Sequence, residues 1–343
     1  MHGYLGIDVG SVSTNLVFLD ELGQVRENIY LRTRGRPIAA LQEGLREMAG
    51  RLPARTRIRG VGATGSGRHL AGVIAGADVV KNEITSHSVA ASTLVPGVQT
   101  VLEIGGQDSK IIILRHGVVA DFAMNTVCAA GTGSFLDQQA ARLNIPIQSF
   151  GEIALKSTAP VRIAGRCAVF AESDMIHKQQ MGHTLPDILA GLCQALVRNY
   201  LNNVGKGKEI LPPVVFQGGV AANAGMKRAF EEALGMEVQV PPYHDVMGAV
   251  GAALLAREKM ARGGQSRFRG FMVAETVFQA GGFACDGCPN LCEVAEITME
   301  GRVIARWGDR CGRWSARKPV TIASVCPTRR PVFSPAQKSR RQS

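Results

Sequence analysis

The sequence predicts an α/β fold made of two related halves that face a central cleft. Two segments, GIDVGSVSTNLVFL at 6–19 and VLEIGGQDSKIIIL at 101–114, share one plan and lie about 95 residues apart. In each, a buried strand leads into a turn with an acid and Gly, and a hydroxyl residue opens a second buried strand. Helical patterns follow both segments, so we expect each half to present one hairpin to the cleft.

The first half begins with a predicted β-meander. Apolar runs at Tyr4–Val9 and Leu16–Leu19 are followed by a turn and a strand near Val25–Leu31. Apolar residues at helical spacing and short apolar runs then predict a helix over 37–50, a strand at 57–62 and a helix over 83–94.

The second half repeats this alternation. Leu185–Leu201 is the clearest helix, with one apolar stripe, and Cys193 beside that stripe is predicted to be a core thiol. The other predicted elements are strands at 100–104, 111–114, 213–217 and 238–240, and helices at 131–143, 168–178, 222–234 and 246–259.

These patterns predict a domain organisation. The main domain is residues 1–260, with a first lobe of about 1–95 plus a helix at about 245–260 and a second lobe of about 96–244. We expect the remainder to form a linker at 261–270, a small Cys-rich segment at 271–314 and a basic, disordered tail at 315–343.

The net charge of +11 does not indicate a nucleic-acid-binding protein. Residues 257–343 hold 16 Lys and Arg against seven Asp and Glu, so most of the excess charge lies near the C-terminus. No run of 18 apolar residues predicts a membrane span, and the N-terminus lacks the pattern of a signal peptide. We therefore expect a cytoplasmic protein without a membrane or nucleic-acid partner.

Three Gly turns follow buried strands and predict a nucleotide site. Backbone N–H groups approach phosphate closely where Cβ is absent. The carboxylates Asp8 and Asp108 suit Mg²⁺, which prefers oxygen ligands. Neither a Walker motif nor a correctly spaced Rossmann motif is present. The candidate nucleotide-binding residues are Gly10, Ser11, Thr14, Gly105, Gly106, Gly218, Gly219 and Asn223.

The order of these turns resembles the actin, Hsp70 and sugar-kinase superfamily, which implies a two-lobed, ribonuclease H-like ATPase fold closing on ATP. Within that superfamily, residues 3–256 resemble the BadF/BadG/BcrA/BcrD type, the activators of 2-hydroxyacyl-CoA dehydratases and benzoyl-CoA reductases. The resemblance rests on GIDVGSVSTN, LEIGGQDSK, MNTVCAAGTGSFLD, CAVFAESDMI, GGVAANAGM and GAVGAALLA. Asn15 stands where many activators have Lys, which removes one expected phosphate contact.

ATP hydrolysis requires a side chain that orients the attacking water. Asp8, Gln107 and Asp108 are the candidates, together with Glu83 at the start of a predicted helix. Glu83 is equally explained as a favourable charge at a helix N-terminus, and His87 on the same helix is predicted to be a structural hydrogen-bonding residue.

Two isolated cysteines, Cys128 and Cys167, each precede a predicted helix. The positive end of a helix favours a thiolate, and we expect Thr132 and Ser134 to cap the helix after Cys128. A 4Fe–4S cluster needs four thiolates, so a homodimer sharing one cluster would complete the set. The family resemblance implies that arrangement; from the residues alone, two incidental thiols remain the alternative.

The resemblance also implies a function. A reduced ferredoxin or flavodoxin would load the cluster with an electron, and ATP binding and hydrolysis would switch the two halves. The electron would then pass to an acyl-CoA dehydratase or reductase partner at low potential.

Four further cysteines, Cys285, Cys288, Cys292 and Cys311, lie in the Cys-rich segment. A predicted hairpin of Val294–Met299 and Arg302–Trp307 would return Cys311 to the other three. Four thiols brought together in this way suit structural Zn²⁺ or a second Fe–S cluster. Because a segment this short has little core of its own, a bound metal could take the place of one. Unliganded thiols are the alternative.

Two other functions are compatible with the nucleotide turns. A small-molecule kinase, such as a sugar kinase of the same superfamily, would use the cleft but has no need of Cys128 and Cys167. A non-catalytic nucleotide-sensing module of a larger redox complex would bind nucleotide without turnover.

Overall fold

Two five-stranded sheets with the same topology form the centre of the protein, whose computed structural model describes residues 1–315. Apart from Ser315, the tail predicted at 315–343 lies outside the described residues. The first sheet consists of β1 (His2–Val9), β2 (Ser13–Asp20), β3 (Val25–Arg32), β4 (Arg57–Thr64) and β5 (Val79–Val80). Its order is β3-β2-β1-β4-β5, with antiparallel pairs among the first three strands and parallel pairs from β1 to β5.

The second sheet repeats this plan strand by strand. It consists of β6 (Thr100–Ile104), β7 (Ser109–Arg115), β8 (Val118–Asn125), β9 (Val214–Gln217) and β10 (Val238–Gln239). Its order is β10-β9-β6-β7-β8, again with an antiparallel meander and two parallel strands. The predicted duplicated α/β fold is therefore confirmed, and each sheet with its helices forms one lobe.

Helices cover the sheets in three layers. The outer face of the first sheet packs against α1 (Pro37–Arg51) and α2 (Arg68–Ala75). Between the two sheets lies α3 (Glu83–Leu94). The outer face of the second sheet packs against α4 (Gly133–Arg142), α5 (Ile147–Ala154), α6 (Ala168–Gln180), α7 (Leu185–Asn203) and α8 (Ala224–Leu234). Within residues 1–315, no helix has the length and apolar character that crossing a bilayer would require.

The last helix of the lobes, α9 (Met247–Ala261), joins α3 in the layer between the sheets. Its sequence is rich in Ala and Gly because it lies directly on the first sheet. A Cβ at Gly62 of β4 would lie 1.9 Å from the Ala252 carbonyl oxygen, and one at Gly6 of β1 would lie 1.8 Å from that of Ala249. Glycine at these positions thus permits contact between helix and sheet backbones.

Most predicted elements are confirmed, and the differences have local causes. β8 was not predicted because it is an edge strand paired only with β7 and has mostly exposed side chains. α2 and α5 were not predicted because each has only eight residues. The helix predicted from 131 begins at Gly133, and a 3₁₀ turn occupies Ala129–Gly131.

The C-terminal segment forms a third, antiparallel sheet of β11 (Phe278–Ala284), β12 (Glu293–Met299) and β13 (Arg302–Trp307). The predicted hairpin is confirmed, with Met299 paired to Arg302 across the turn. This sheet contributes Phe278 and Ile297 to the outer core of the first lobe, and the segment also has a small core of its own around Phe283 and Val294.

A buried carboxylate, Asp78, attaches the residues that follow α9 to the first lobe. Its oxygens accept hydrogen bonds from Val61 N–H (2.8 Å), Ser266 Oγ (2.7 Å) and Arg267 N–H (2.7 Å). Two of these donors lie in the segment predicted to be a linker at 261–270. That segment is therefore fixed to the first lobe before it reaches the third sheet.

The contact between α9 and the first sheet predicts the effect of a methyl group. We expect Gly62→Ala to lower the free energy of unfolding by about 1–3 kcal/mol, because its Cβ meets backbone atoms that cannot move independently. Gly50→Ala is the matched control, since Gly50 lies in α1 and a Cβ added there would have no atom within 4 Å. The free energy of unfolding of Gly50→Ala should rise by about 0.5–1 kcal/mol, because Ala has a higher helix propensity than Gly. Denaturant unfolding of both variants measures these free energies of unfolding. Equal stability of the two variants would contradict the close packing of α9 on the first sheet.

Candidate functional site

The two hairpins predicted to bind phosphate form the same turn in both lobes. Gly10 N–H donates to the Ser13 carbonyl (2.8 Å), and Gly105 N–H donates to the Asp108 carbonyl (3.0 Å). The turns face each other across the cleft, where a Cβ on Gly106 would lie 2.7 Å from a methyl group of Val12. Both hairpins can therefore approach one ligand from opposite lobes.

Ten of the predicted residues line this cleft together. They come from both hairpins, from the start of α3 and from the turn after β9, and are Asp8, Gly10, Ser11, Glu83, Gly105, Gly106, Gln107, Asp108, Gly218 and Gly219.

Thr14, which was predicted to contact the nucleotide, does not line the cleft. Strand alternation turns Ser13 and Asn15 towards the cleft and Thr14 away from it. The Thr14 hydroxyl is fully buried and shares a hydrogen bond of 3.0 Å with that of Thr33, which in turn donates to the Gly10 carbonyl (2.9 Å). Thr14 thus supports the first turn from behind.

A second cavity of about 300 Å³ adjoins the first and extends between α4, α5 and the turn after β9. Tyr30, Ile147 and Gly219 are among its lining residues, and so is Asn223. Asn223 Oδ1 caps α8 by accepting from Met226 N–H (3.1 Å), whereas its Nδ2 is buried and meets no acceptor within residues 1–315. A free donor and apolar walls suit a nucleoside.

A single buried ammonium, that of Lys110, organises the charges of the cleft. Its Nζ lies 3.0 Å from Glu83, 3.0 Å from Glu103 and 2.7 Å from Asp108. Burial would lower the pKa of Lys110, but these carboxylates outweigh it and raise the pKa well above its usual range. Burial likewise opposes ionisation of Glu83, yet Lys110 lowers the pKa of that carboxyl. Lys110 is therefore a permanent positive charge.

The cleft has more carboxylates than this one ammonium can neutralise. Burial and the neighbouring Glu83 raise the pKa of Asp8 to about 7, and no hydrogen-bond donor among the described residues reaches its carboxylate. Opposite Asp8 in the β1–β2 register, Asn15 Oδ1 is also buried without a partner within residues 1–315. Unsatisfied oxygens beside excess negative charge are what a hydrated Mg²⁺ would neutralise.

His87 lies next to this cluster and has a structural role, as expected. Its Nδ1 lies 2.7 Å from Gln217 Nε2, and the ring is almost fully buried. Burial, together with repulsion from Lys110, lowers the pKa of His87 to about 4. The ring is thus neutral near pH 7 and accepts the hydrogen bond from Gln217 at Nδ1.

The second turn is also connected to the segment that carries Cys128. The Gly105 carbonyl accepts from Gly133 N–H (2.9 Å), and the Gly106 carbonyl accepts from Ser134 N–H (2.9 Å) and from the Ser134 hydroxyl (2.5 Å). The prediction that Ser134 caps α4 is therefore wrong, because its hydroxyl bonds to the second turn. Thr132 occupies the predicted N-cap position of α4, but its side chain makes no capping hydrogen bond, and its hydroxyl donates to the Ala129 carbonyl (2.9 Å).

The two isolated cysteines lie near each other at one end of the second lobe. Cys128 Sγ is 4.0 Å from the carbonyl oxygen of Arg166, the residue before Cys167, and 3.8 Å from Asn199 Nδ2. Cys167 directly precedes α6, as predicted, whereas Cys128 precedes the 3₁₀ turn and not α4 itself. Both thiols are partly exposed, while Cys193 is buried in the core as expected.

A match to a family model covers residues 5–256, which is most of the chain. The chain belongs to the BadF/BadG/BcrA/BcrD ATPase family. It is 37% identical to the (R)-2-hydroxyglutaryl-CoA dehydratase activating ATPase of Acidaminococcus fermentans, over 75% of this chain and 98% of that protein.

Solved structures of family members have the same fold. The activator of the 2-hydroxyisocaproyl-CoA dehydratase from Clostridium difficile, with bound ADPNP, is 30% identical, with a TM-score of 0.70 over 76% of this chain and 96% of that one. Component A of the (R)-2-hydroxyglutaryl-CoA dehydratase of Acidaminococcus fermentans is 35% identical, with a TM-score of 0.69 over 76% of this chain and 100% of that one. The predicted two-lobed α/β ATPase fold is thereby confirmed.

The C-terminal cysteines lie outside the part matched to the family. Cys285 N–H donates to the Cys292 carbonyl (2.8 Å), and Cys285 Sγ accepts from Trp314 Nε1 (3.2 Å), while Cys288 and Cys311 are exposed. Within residues 1–315, no three His, Cys, Asp or Glu side chains are grouped as ligands of one metal ion. Zn²⁺ or a second cluster at these four cysteines remains a prediction.

Sequence reasoning missed Lys110 and Glu103, the two most buried members of the charge cluster. Both stand in strands that are mostly apolar in sequence, at positions near the predicted turn. A charged side chain within a buried strand needs a partner, so their spacing in LEIGGQDSK carried a signal for an internal ion pair.

Asp8→Asn tests the charge excess through the pH dependence of stability. Because the folded pKa of Asp8 exceeds the value of an unfolded Asp, its contribution to stability is lost as the pH rises from about 4 to 7. Without divalent cation, we expect the variant to melt roughly 2–6 °C above the parent at pH 8, with a smaller difference at pH 5. ATP hydrolysis should fall on the order of 100-fold.

The control for this prediction is Asp121→Asn. Asp121 is an exposed carboxylate whose pKa is lowered by its hydrogen bond from Lys208, so its removal should not raise the melting temperature at pH 8. Thermal unfolding in EDTA and phosphate release are the measurements. A pH-8 melting temperature of Asp8→Asn at or below that of the parent would contradict the assigned pKa.

Lys110→Met tests the ammonium itself. It leaves buried carboxylates uncompensated, and we expect it to lower the free energy of unfolding by about 3–5 kcal/mol at pH 8. The loss should be smaller at pH 5, where protonation neutralises those carboxyls, and Lys110→Met with Glu103→Gln should recover part of it. Chemical denaturation at both pH values measures this, and a single variant as stable as the parent at pH 8 would rule out the cluster's role.

Proposed function

We propose that this chain is an ATP-hydrolysing iron–sulfur activator that drives low-potential, single-electron transfer to a partner resembling 2-hydroxyacyl-CoA dehydratases or benzoyl-CoA reductases. The proposal is supported by the roles that its relatives' names state, an activating ATPase and a dehydratase activator with bound ADPNP. It is also supported by a cleft built from two phosphate-type turns beside a nucleoside-sized cavity.

The observation that carries the proposal is the set of hydrogen bonds between the second turn and the start of α4. Phosphate groups in the cleft would contact the backbone N–H groups of Gly106 and Gln107, because Gly105 N–H is used within the turn. The Gly105 and Gly106 carbonyls of the same turn are held by Gly133 and Ser134. Cys128 lies five residues before Gly133. A shift of this turn on ATP binding or hydrolysis would therefore reach the cysteine through few intervening bonds.

Each group in the cleft has a distinct proposed role. Asp8 and Asn15 present the free oxygens towards a hydrated Mg²⁺, which would neutralise the negative charge and admit the phosphates. Gln107 and Asp108 stand at the second turn, where one of them orients the hydrolytic water. Glu83 holds Lys110 in place, so we assign it a positioning role.

Cys128 and Cys167 are the proposed cluster ligands. Two chains would supply the four thiolates of one 4Fe–4S cluster, which accepts and releases a single electron when bound. The exposed side chains of Val127 and Val169 adjoin the two cysteines, with 95% and 66% of their surface accessible. Such apolar groups suit burial against a second copy of the chain.

The remaining parts of the proposal concern the partners. A reduced ferredoxin or flavodoxin supplies the electron, and an acyl-CoA dehydratase or reductase component receives it, in the cytoplasm of a cell growing without oxygen. ATP hydrolysis makes the transfer irreversible by resetting the cleft.

Anaerobic purification and metal analysis test the proposal. We expect a brown dimer with absorbance near 400 nm and one 4Fe–4S cluster per two chains, together with ATP hydrolysis. Cys128→Ala should be colourless, because it removes two of the four ligands from each dimer. Cys193→Ala is the matched control, since it deletes a core thiol and should keep the cluster.

Three outcomes would contradict this function in different ways. Four iron atoms in every chain, retained in Cys128→Ala, would place the cluster at the C-terminal cysteines. A colourless parent protein that phosphorylates a sugar would identify a kinase. Nucleotide binding without turnover, even with a reduced cluster, would indicate a sensing module.

A further inference from the structure

A concavity lined by basic side chains lies beside the cysteine pair. It has a volume of about 890 Å³ and is formed by the loop before α6 and by the C-terminal end of α7. Four cations line it, and no carboxylate of the described residues does; they are Arg162, Arg166, Arg198 and Lys206.

These four cations are not neutralised by the protein. None forms an ion pair with a carboxylate of the described residues. The guanidinium of Arg198 donates to the Ile163 carbonyl (2.7 Å), and burial together with repulsion from Arg162 lowers its pKa. Like charges held together without counter-charges favour an anionic ligand.

The concavity reaches the proposed redox centre. Asn199 lines it and lies almost completely buried, and its Nδ2 is 3.8 Å from Cys128 Sγ and 2.5 Å from the Gly165 carbonyl. Arg166 precedes Cys167 in the chain, and its carbonyl lies against Cys128. A ligand in the concavity therefore contacts residues that touch Cys128 or directly precede Cys167.

The rim favours a protein over a small anion. Phe170 lines the concavity with 65% of its surface exposed, next to open cationic side chains and the amides of Asn202 and Asn203. An exposed aromatic side chain among charges is typical of a protein interface, and a small anion would leave it uncovered. A second copy of the chain, which is proposed to meet this one at the cysteines, would not supply the missing counter-charge, because its own concavity is equally basic.

We propose that this basic concavity is the docking site for a small acidic electron-carrier protein, which delivers its electron next to Cys128 and Cys167. This inference rests on the proposed function. Opposite charges steer the carrier onto the site and are weak enough, when exposed, to release it after transfer. The carrier's acidic surface would cover the four cations while its redox group faces the cysteines.

The test compares two double variants with equal loss of charge. Arg162→Gln with Lys206→Gln alters the concavity. Lys227→Gln with Arg228→Gln is the control, because these residues lie on α8 outside the concavity and pair with Glu231 and Glu232. Binding of a bacterial ferredoxin to the cluster-free, full-length protein is measured at low and at high salt, so this readout does not depend on the proposed function.

We expect the concavity variant to bind ferredoxin about tenfold more weakly than the parent at low ionic strength, with the difference vanishing near 0.5 M salt. The control should bind as the parent does. With reconstituted protein, reduction by ferredoxin should slow about tenfold in the concavity variant alone, whereas reduction by methyl viologen radical, a small cation, should not slow.

Other outcomes would overturn the inference. Equal ferredoxin binding by parent and concavity variant, or equal weakening in the control, would remove the docking site. Slower reduction by both reductants would show that the cations act on the cluster and not on a carrier. Binding of inorganic pyrophosphate in the concavity, without ferredoxin binding, would assign it to a small anion. Absence of a cluster in the parent would refute the proposed function but leave the binding comparison valid.

Discussion

The buried ion cluster around Lys110 is the constraint on which the functional cleft depends. One ammonium of β7 lies among carboxylates from β6, the second turn and α3, close to Asp8 of β1. Burying so many charges is costly unless their partners are held in place, so the cluster fixes the positions of both turns. Its excess negative charge is not balanced by the protein and favours binding of a divalent cation together with the phosphates.

This arrangement connects the chemistry of the nucleotide with the cysteines. The second turn carries Asp108 of the cluster on one side and accepts hydrogen bonds from the start of α4 on the other. The charge of a ligand thus acts on the same short backbone segment that leads back to Cys128. The neighbouring layer of α3 and α9 between the sheets carries Glu83, so a change in the cluster also acts on the packing between lobes.

The C-terminal sheet extends the first lobe beyond the part of the chain shared with the family. Asp78 anchors the residues that lead into this sheet, and Phe278 and Ile297 join the core formed by α1 and α2. From the sequence, a metal at the Cys-rich segment could stand in for a small core, with unliganded thiols as the alternative. The structure adds a source of stability that does not depend on a metal, namely the hydrophobic surface of the lobe on which the segment packs.

The sequence by itself determined the duplicated α/β fold, the three turns and the isolated cysteines, because strand and helix periodicities and Gly turns are local signals. It also predicted His87 and Cys193 as structural residues. Only the tertiary structure decided that Thr14 faces away from the cleft, that Ser134 bonds to the second turn instead of capping α4, and that Lys110 joins three carboxylates. These outcomes depend on contacts between elements that are distant in sequence. Such contacts set the free energy of buried charges and unpaired polar groups, which a local sequence pattern does not contain.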